Sequence, residues 1–171
     1  HELVPVDLPD LPMGAMMVTL NVEAAAAFDE LTRSGRDDEL VRQVKNAWPN
    51  AFRVARLVPA VEYVRAQRLR TLLVRETYAA LAEVDLIVHA PYASGVLRIT
   101  NLTGHPTVVA PFVPAAGPRG DGAPRTICFT GHLDRDEELL AFAAAWQRAY
   151  PHHVLRPPMP WLADAADDGE R

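Results

Sequence analysis

Val84-Asp85-Leu86-Ile87-Val88-His89 is the stretch that decides the fold. It is a short apolar, β-branched run with turn signals on its C-terminal side, which predicts a buried strand. Two more such runs follow, Thr107-Val108-Val109-Ala110 and Arg125-Thr126-Ile127-Cys128-Phe129. Between them Pro111, Pro114, Gly117, Pro118, Gly120, Gly122 and Pro124 demand a loop. Everything upstream reads differently. Residues 13–32 have helical spacing, with Met13, Met16, Leu20, Ala24, Ala27 and Leu31 on one face. Val18, Val22 and Ala25 make a second face apolar, so this helix is expected to be covered on more than one side. Ser34-Gly35 ends it. A weaker charged helix is expected over 36–47, closed by Trp48-Pro49-Asn50, and a long Arg-rich helix over 59–81. Residues 3–6 suggest a short strand.

After the third run, Asp134 and Glu137 have the spacing of a capping box opening a helix to Tyr150. Leu139, Phe142, Ala143, Trp146 and Tyr150 share one face of it, and Pro151 stops it. The predicted class is α/β, a mixed sheet of short strands covered by helices. Residues 1–162 are expected to form one α/β domain or part of one, and 163–171 a polar, frayed tail.

Composition bounds the chemistry. The 171 residues are 49% hydrophobic and 23% charged, with a net charge of -5, which argues against disorder. That charge leaves no basic footprint for nucleic acid, and no apolar run is long enough to span a membrane. No signal peptide is visible, and the lone Cys128 fits a reducing compartment, so a cytoplasmic location is expected. Lys45 is the single lysine, and Ser34 and Ser94 are the only serines. A mechanism built on a serine nucleophile and a lysine base has almost nothing to choose from.

Each candidate site residue has a structural reading beside the functional one. Adjacent His152 and His153 point in different directions and suit a solvated helix end better than a metal pair. Asp134, Asp136, Glu137 and Glu138 at a helix start complement its dipole. Cys128 in a β run reads as a small core residue. His105 and His132 each neighbour a glycine near a strand end, where catalytic groups collect in α/β folds, and the simpler reading is a histidine bonded to a turn. No metal or cofactor is expected.

Order along the chain adds more. Asn101-Leu102-Thr103-Gly104-His105-Pro106 resembles the Asn-Leu-x-Gly-x-Pro segment in the C-terminal part of amidase signature enzymes. Asp121-Gly122-Ala123-Pro124, the strand to Gly131, Asp136-Glu137-Glu138-Leu139-Leu140 and the closing His153-Val154-Leu155-Arg156-Pro157-Pro158 follow as they do there. Upstream, Ala66-Gln67-Arg68-Leu69-Arg70 resembles the family's Ala-Gln-x-x-Arg helix, leading into the strand at 84–88. Together these segments cover about residues 23–158.

The resemblance implies a Ser-Ser-Lys mechanism, in which a serine attacks an amide carbonyl, the amine leaves and water clears the acyl-enzyme. The Gly-Gly-Ser-Ser-Gly-Gly run that carries it is not in this sequence, and neither Ser94 nor Lys45 matches it. The expectation is therefore the C-terminal part of an amidase, inactive alone and acting on a small-molecule amide only with a missing upstream part. Ser94, Asn101, Thr103 and His105 are expected in a pocket wall that touches substrate, with the 101–106 segment also serving as a turn.

Thr126-Ile127-Cys128 replaces the family's Gly-Leu-Gln, and residues 91–101 are shorter than in the amidase-type component of the aspartyl/glutamyl-tRNA amidotransferases. These departures favour a general amidase over that component. A non-catalytic binding or scaffolding protein with the same fold is the alternative, and a His/Asp metal hydrolase a third reading. As a fragment the chain is expected to form a homo-oligomer through an open strand edge, the Val18, Val22 and Ala25 face and the long helix.

Overall fold

The computed structural model describes residues 2–91, 95–113 and 125–154. The chain divides into two compact units, His1–Glu83 with Arg98–Gly104, and Val84–Leu97 with His105–Arg171. Helices build the first: α1 (Met13–Ala27), α2 (Asp29–Arg33), α3 (Trp48–Ala55) and α4 (Ala60–Ala80), with the greater part of α5 (Val96–Thr103). Both α3 and α4 pack on α1. Met16 meets Leu73, Ile99 and Leu102 in one cluster, while Ala25 meets Phe52 and Ala55 in another.

Because α1 has two neighbours, its buried residues are Met16, Thr19 and Ala25, and Leu20, assigned to the core face by spacing, stays 44% exposed. The second apolar face is also spent within the unit. Ala25 is buried and Val22 packs on the Phe52 cluster, so these residues do not form the open patch expected for association.

Three further expectations are corrected. Residues 3–6 are not a strand, since among the described residues no strand pairs with their backbone and Leu3 remains 86% exposed. The helix expected over 36–47 is a single 3-10 turn, Arg36–Glu39. There the buried Asp37 is drawn to Arg53 of α3 at 2.6 Å, and the Gln43 side chain donates to the carbonyls of Asp37 and Leu40 at 2.8 Å. The Arg53 ion pair and these local side-chain bonds outweigh helix propensity. Trp48-Pro49 opens a helix instead of closing one, because a proline in the first helical turn forfeits no hydrogen bond.

The second unit is a three-stranded sheet of β1 (Ile87–His89), β2 (Thr107–Val113) and β3 (Arg125–Thr130), with α6 (Asp136–Ala149) on one face. The order is β1-β3-β2, and where a mixed sheet is expected every described pairing is antiparallel. The buried strand read over 84–89 is only its last three residues, and it lies at the sheet edge with Val88 41% exposed. The Val84 carbonyl is instead taken by His132 Nε2, 2.9 Å away.

Helix α6 presents Leu139, Phe142, Ala143 and Trp146 to Ala110 and Phe129, as its spacing predicts, whereas Tyr150, expected on the same face, is the C-cap and stays 49% exposed. Gly131 lets it approach, since a β-carbon there would sit 3.3 Å from Leu139 Cβ. No capping box forms. Asp134 adopts φ +60° in the preceding turn, which leaves Arg135 as the N-cap without a side-chain bond. Asp136, Glu137 and Glu138 fill the first turn of α6 and complement its dipole.

Phe129 is fully buried at the centre, with ring centroids 5.1 Å from Phe142 and 5.4 Å from Trp146. Phe129→Ala is expected to cost about 3–5 kcal/mol of stability, and Leu140→Ala, on the exposed side of α6, less than about 0.5. Urea unfolding of the two variants beside the parent chain measures both.

Candidate functional site

The two upstream segments that carry the family resemblance meet in the first unit. Arg70 Nε donates to the Leu102 carbonyl at 2.5 Å, which gives one of the last carbonyls of α5 a cationic partner. On the same helix Ala66 is buried, and Gln67 donates to Glu23 of α1 at 3.0 Å and to the Tyr63 hydroxyl at 2.8 Å. Asn101 and Thr103, expected in a turn, lie instead in the last helical turn of α5. Asn101 is exposed, and the buried Thr103 hydroxyl donates back to the Ile99 carbonyl at 2.8 Å. The turn itself is Gly104, at φ +84°, a backbone conformation that costs a residue with a β-carbon about 1–2 kcal/mol. Ser94 lies outside the described residues.

In the second unit His105 is buried. Burial first, and the charge of neighbouring His132 second, hold its pKa below the usual 6.5. His132 bonds the Val84 carbonyl, which is the turn-bonded role its position suggested. Cys128 is a buried free thiol whose pKa is pushed up by desolvation. It stands directly opposite His89 across β1 and β3. That pairing resembles a nucleophile and base, but both His89 nitrogens bond elsewhere: Nδ1 to the Ala90 carbonyl and Nε2 to Thr130 Oγ1, each at 3.0 Å.

Those bonds extend further. Thr130 Oγ1 also lies 2.8 Å from Thr107 Oγ1, directly across from it on β2. His89, Thr130 and Thr107 therefore form one hydrogen-bonded row across all three strands, on the sheet face opposite Phe129. Reading the sequence for site chemistry missed this row. Its signal is the alternation Thr126-x-Cys128-x-Thr130, which puts polar side chains on one face of β3 and Ile127 and Phe129 on the other.

Of the remaining candidates, Ser34 and His152 have structural partners. Ser34 donates to the Leu31 carbonyl at 3.2 Å beside the αL Gly35. His152 and His153 lie in a 3-10 turn, His152–Val154, with the His152 ring stacked on Tyr150. Among the described residues no group of three His, Cys, Asp or Glu side chains is placed to hold a metal ion.

No protein-family model matches the sequence, and no curated protein matches it. Solved structures do match in fold. One is a crystal structure of an amidase, with TM-score 0.64 and 18% identity over 80% of this chain and 35% of that one. Another comes from a vestigial protein complex that reveals the evolutionary origins of an s-triazine catabolic enzyme, with TM-score 0.66 and 17% identity over 86% of this chain and 35% of that one. Its inhibitor-bound complex matches with TM-score 0.65 and 18% identity, covering 86% and 35%. The chain folds like about a third of an amidase. At these identities the likeness is one of fold, and the chain spans 35% of the length of each structure.

Within that amidase-like fold, His105 makes stability depend on pH. Its lowered pKa means that the folded state favours the neutral ring, whereas the unfolded chain takes up a proton once the pH falls below about 6.5. The stabilisation is complete above that value and is lost as the pH falls through it to the lower, folded-state pKa. The urea midpoint is expected to drop between about pH 7.5 and about pH 5, and to drop less in His105→Gln. Equal drops in the two proteins would contradict this assignment.

Proposed function

We propose that the chain is the C-terminal portion of an amidase that hydrolyses a small-molecule carboxylic amide. One observation carries the reading: an amidase-like fold covering 35% of its structural neighbours, in a chain whose segments follow the amidase order from Ala66-Gln67 to Pro106 and α6. In this reading the serine nucleophile, the second serine and the lysine base belong to another portion of the enzyme. The nucleophile bonds to the amide carbonyl carbon, the amine departs with a proton, and water releases the acid and restores the hydroxyl.

This portion supplies sheet and packing, and we assign it substrate-facing positions, Asn101 and Thr103 in the first unit and Ser94 and His105 in the second. The Arg70 bond to Leu102 supports Asn101 and Thr103 in that role, because it holds the helical turn on which they sit. Among the described residues no helix is long and apolar enough to cross a membrane. We place the enzyme in the cytoplasm on the strength of its single cysteine, Cys128, which fits a reducing compartment. We assign it no nucleic-acid or membrane partner, and self-association as an isolated chain.

The test is activity. The purified chain is expected to show no turnover of simple carboxamides, and turnover lost on Ser94→Ala would contradict the reading. The gene supplies a second check, since an in-frame Gly/Ser-rich signature upstream is expected. Sedimentation at about tens of micromolar addresses self-association through the edge strands of the sheet, and a clean monomer would remove that part.

A further inference from the structure

The bonds around Thr130 admit one consistent arrangement of protons at neutral His89. The Ala90 carbonyl can only accept, so His89 Nδ1, 3.0 Å away, carries the ring proton. Nε2 is then a lone pair and accepts from the Thr130 hydroxyl at 3.0 Å. Having given its one proton, Thr130 Oγ1 must accept the proton of Thr107 at 2.8 Å. Thr130 is 2% exposed and both its bonds are made within the sheet, whereas Thr107 is exposed. The hydroxyl of an exposed residue is thus connected through a buried one to an imidazole base. Neighbouring antiparallel strands hold all three groups, with Thr107 and Ile87 both opposite Thr130 and His89 opposite Cys128.

We propose that Thr107 is a base-assisted nucleophile that accepts an acyl group from an activated carboxylic ester, with Thr130 and His89 as positioning residues that carry its proton away. Thr107 Oγ1 bonds to the ester carbonyl carbon as the bond to the leaving oxygen breaks. The Thr107 proton passes to Thr130 Oγ1 while the Thr130 proton passes to His89 Nε2. The leaving group departs as an anion with its electron pair, and the imidazolium returns its proton to water.

The products are an ester on Thr107 and a free phenolate or alkoxide. An ester with a good leaving group needs no proton delivered to it; an amide does, and here the proton ends up two hydroxyls away. The site therefore stands apart from the serine amidase reading and does not depend on it.

The probe is p-nitrophenyl acetate, followed by peptide mapping of the chain by mass spectrometry. Acetylation of Thr107 is expected, with a rate about 100-fold lower in His89→Gln, which can still hydrogen-bond but cannot take the proton. Thr130→Val breaks the relay and is expected to lose the reaction, whereas Thr130→Ser restores the hydroxyl and recovers it. Urea midpoints establish that each variant is folded. Acetyl groups on Lys45 or the terminal amine with Thr107 unmodified would overturn the proposal. So would a folded His89→Gln protein that labels Thr107 at the parent rate.

Discussion

The burial of Phe129 between the sheet and α6 is the contact on which the second unit depends. Phe129 sits in the central strand, fully enclosed, against Ala110, Leu139, Ala143, Phe142 and Trp146. Because strand side chains alternate, placing Phe129 and Ile127 under α6 forces Cys128 and Thr130 to the other face. A slip of one residue would put the threonines in the apolar cluster and the aromatic ring outside it, so the register is strongly specified. The polar row His89–Thr130–Thr107 is a consequence of that choice, and a single packing decision sets both faces of the sheet.

The first unit is held by different means. Two small clusters, around Leu73 and around Phe52, share α1 between them. Polar bonds then fix the angles: Tyr63 and Gln67 reach Glu23, Arg70 reaches Leu102, and Arg53 reaches Asp37 and Asp38. The irregular stretch 40–47 is held largely by its own side chains, Gln43 donating to the carbonyls of Asp37 and Leu40 and Arg42 to Asn46.

How much of this was legible in the sequence follows from which interactions are local. The long helix, the face of α6 and its stop at Pro151 are written in spacing and in single residues, and the structure has them nearly where they were read. The α/β class was likewise legible. Errors came where a distant group decided the outcome. Asp37 pairs with Arg53 outside any long helix, and Val84 gives its carbonyl to His132. Trp48-Pro49 is ambiguous in sequence because proline punctuates both ends of helices, and only the following Phe52 cluster shows which end it is. The candidate site was less legible than the fold. His105 and His132 stood out beside their glycines, but the row through Thr130 needs three strands in register, which no stretch of sequence states by itself.

Hydrogen exchange of backbone amides tests the strand order β1-β3-β2 most directly. A central strand bonds a partner on each side, so consecutive amides from Ile127 to Thr130 should all exchange slowly. In the edge strands β1 and β2 only alternate amides should be protected. Alternating protection within β3 would mean that it is an edge, and that neither the Phe129 core nor the polar row is built as described.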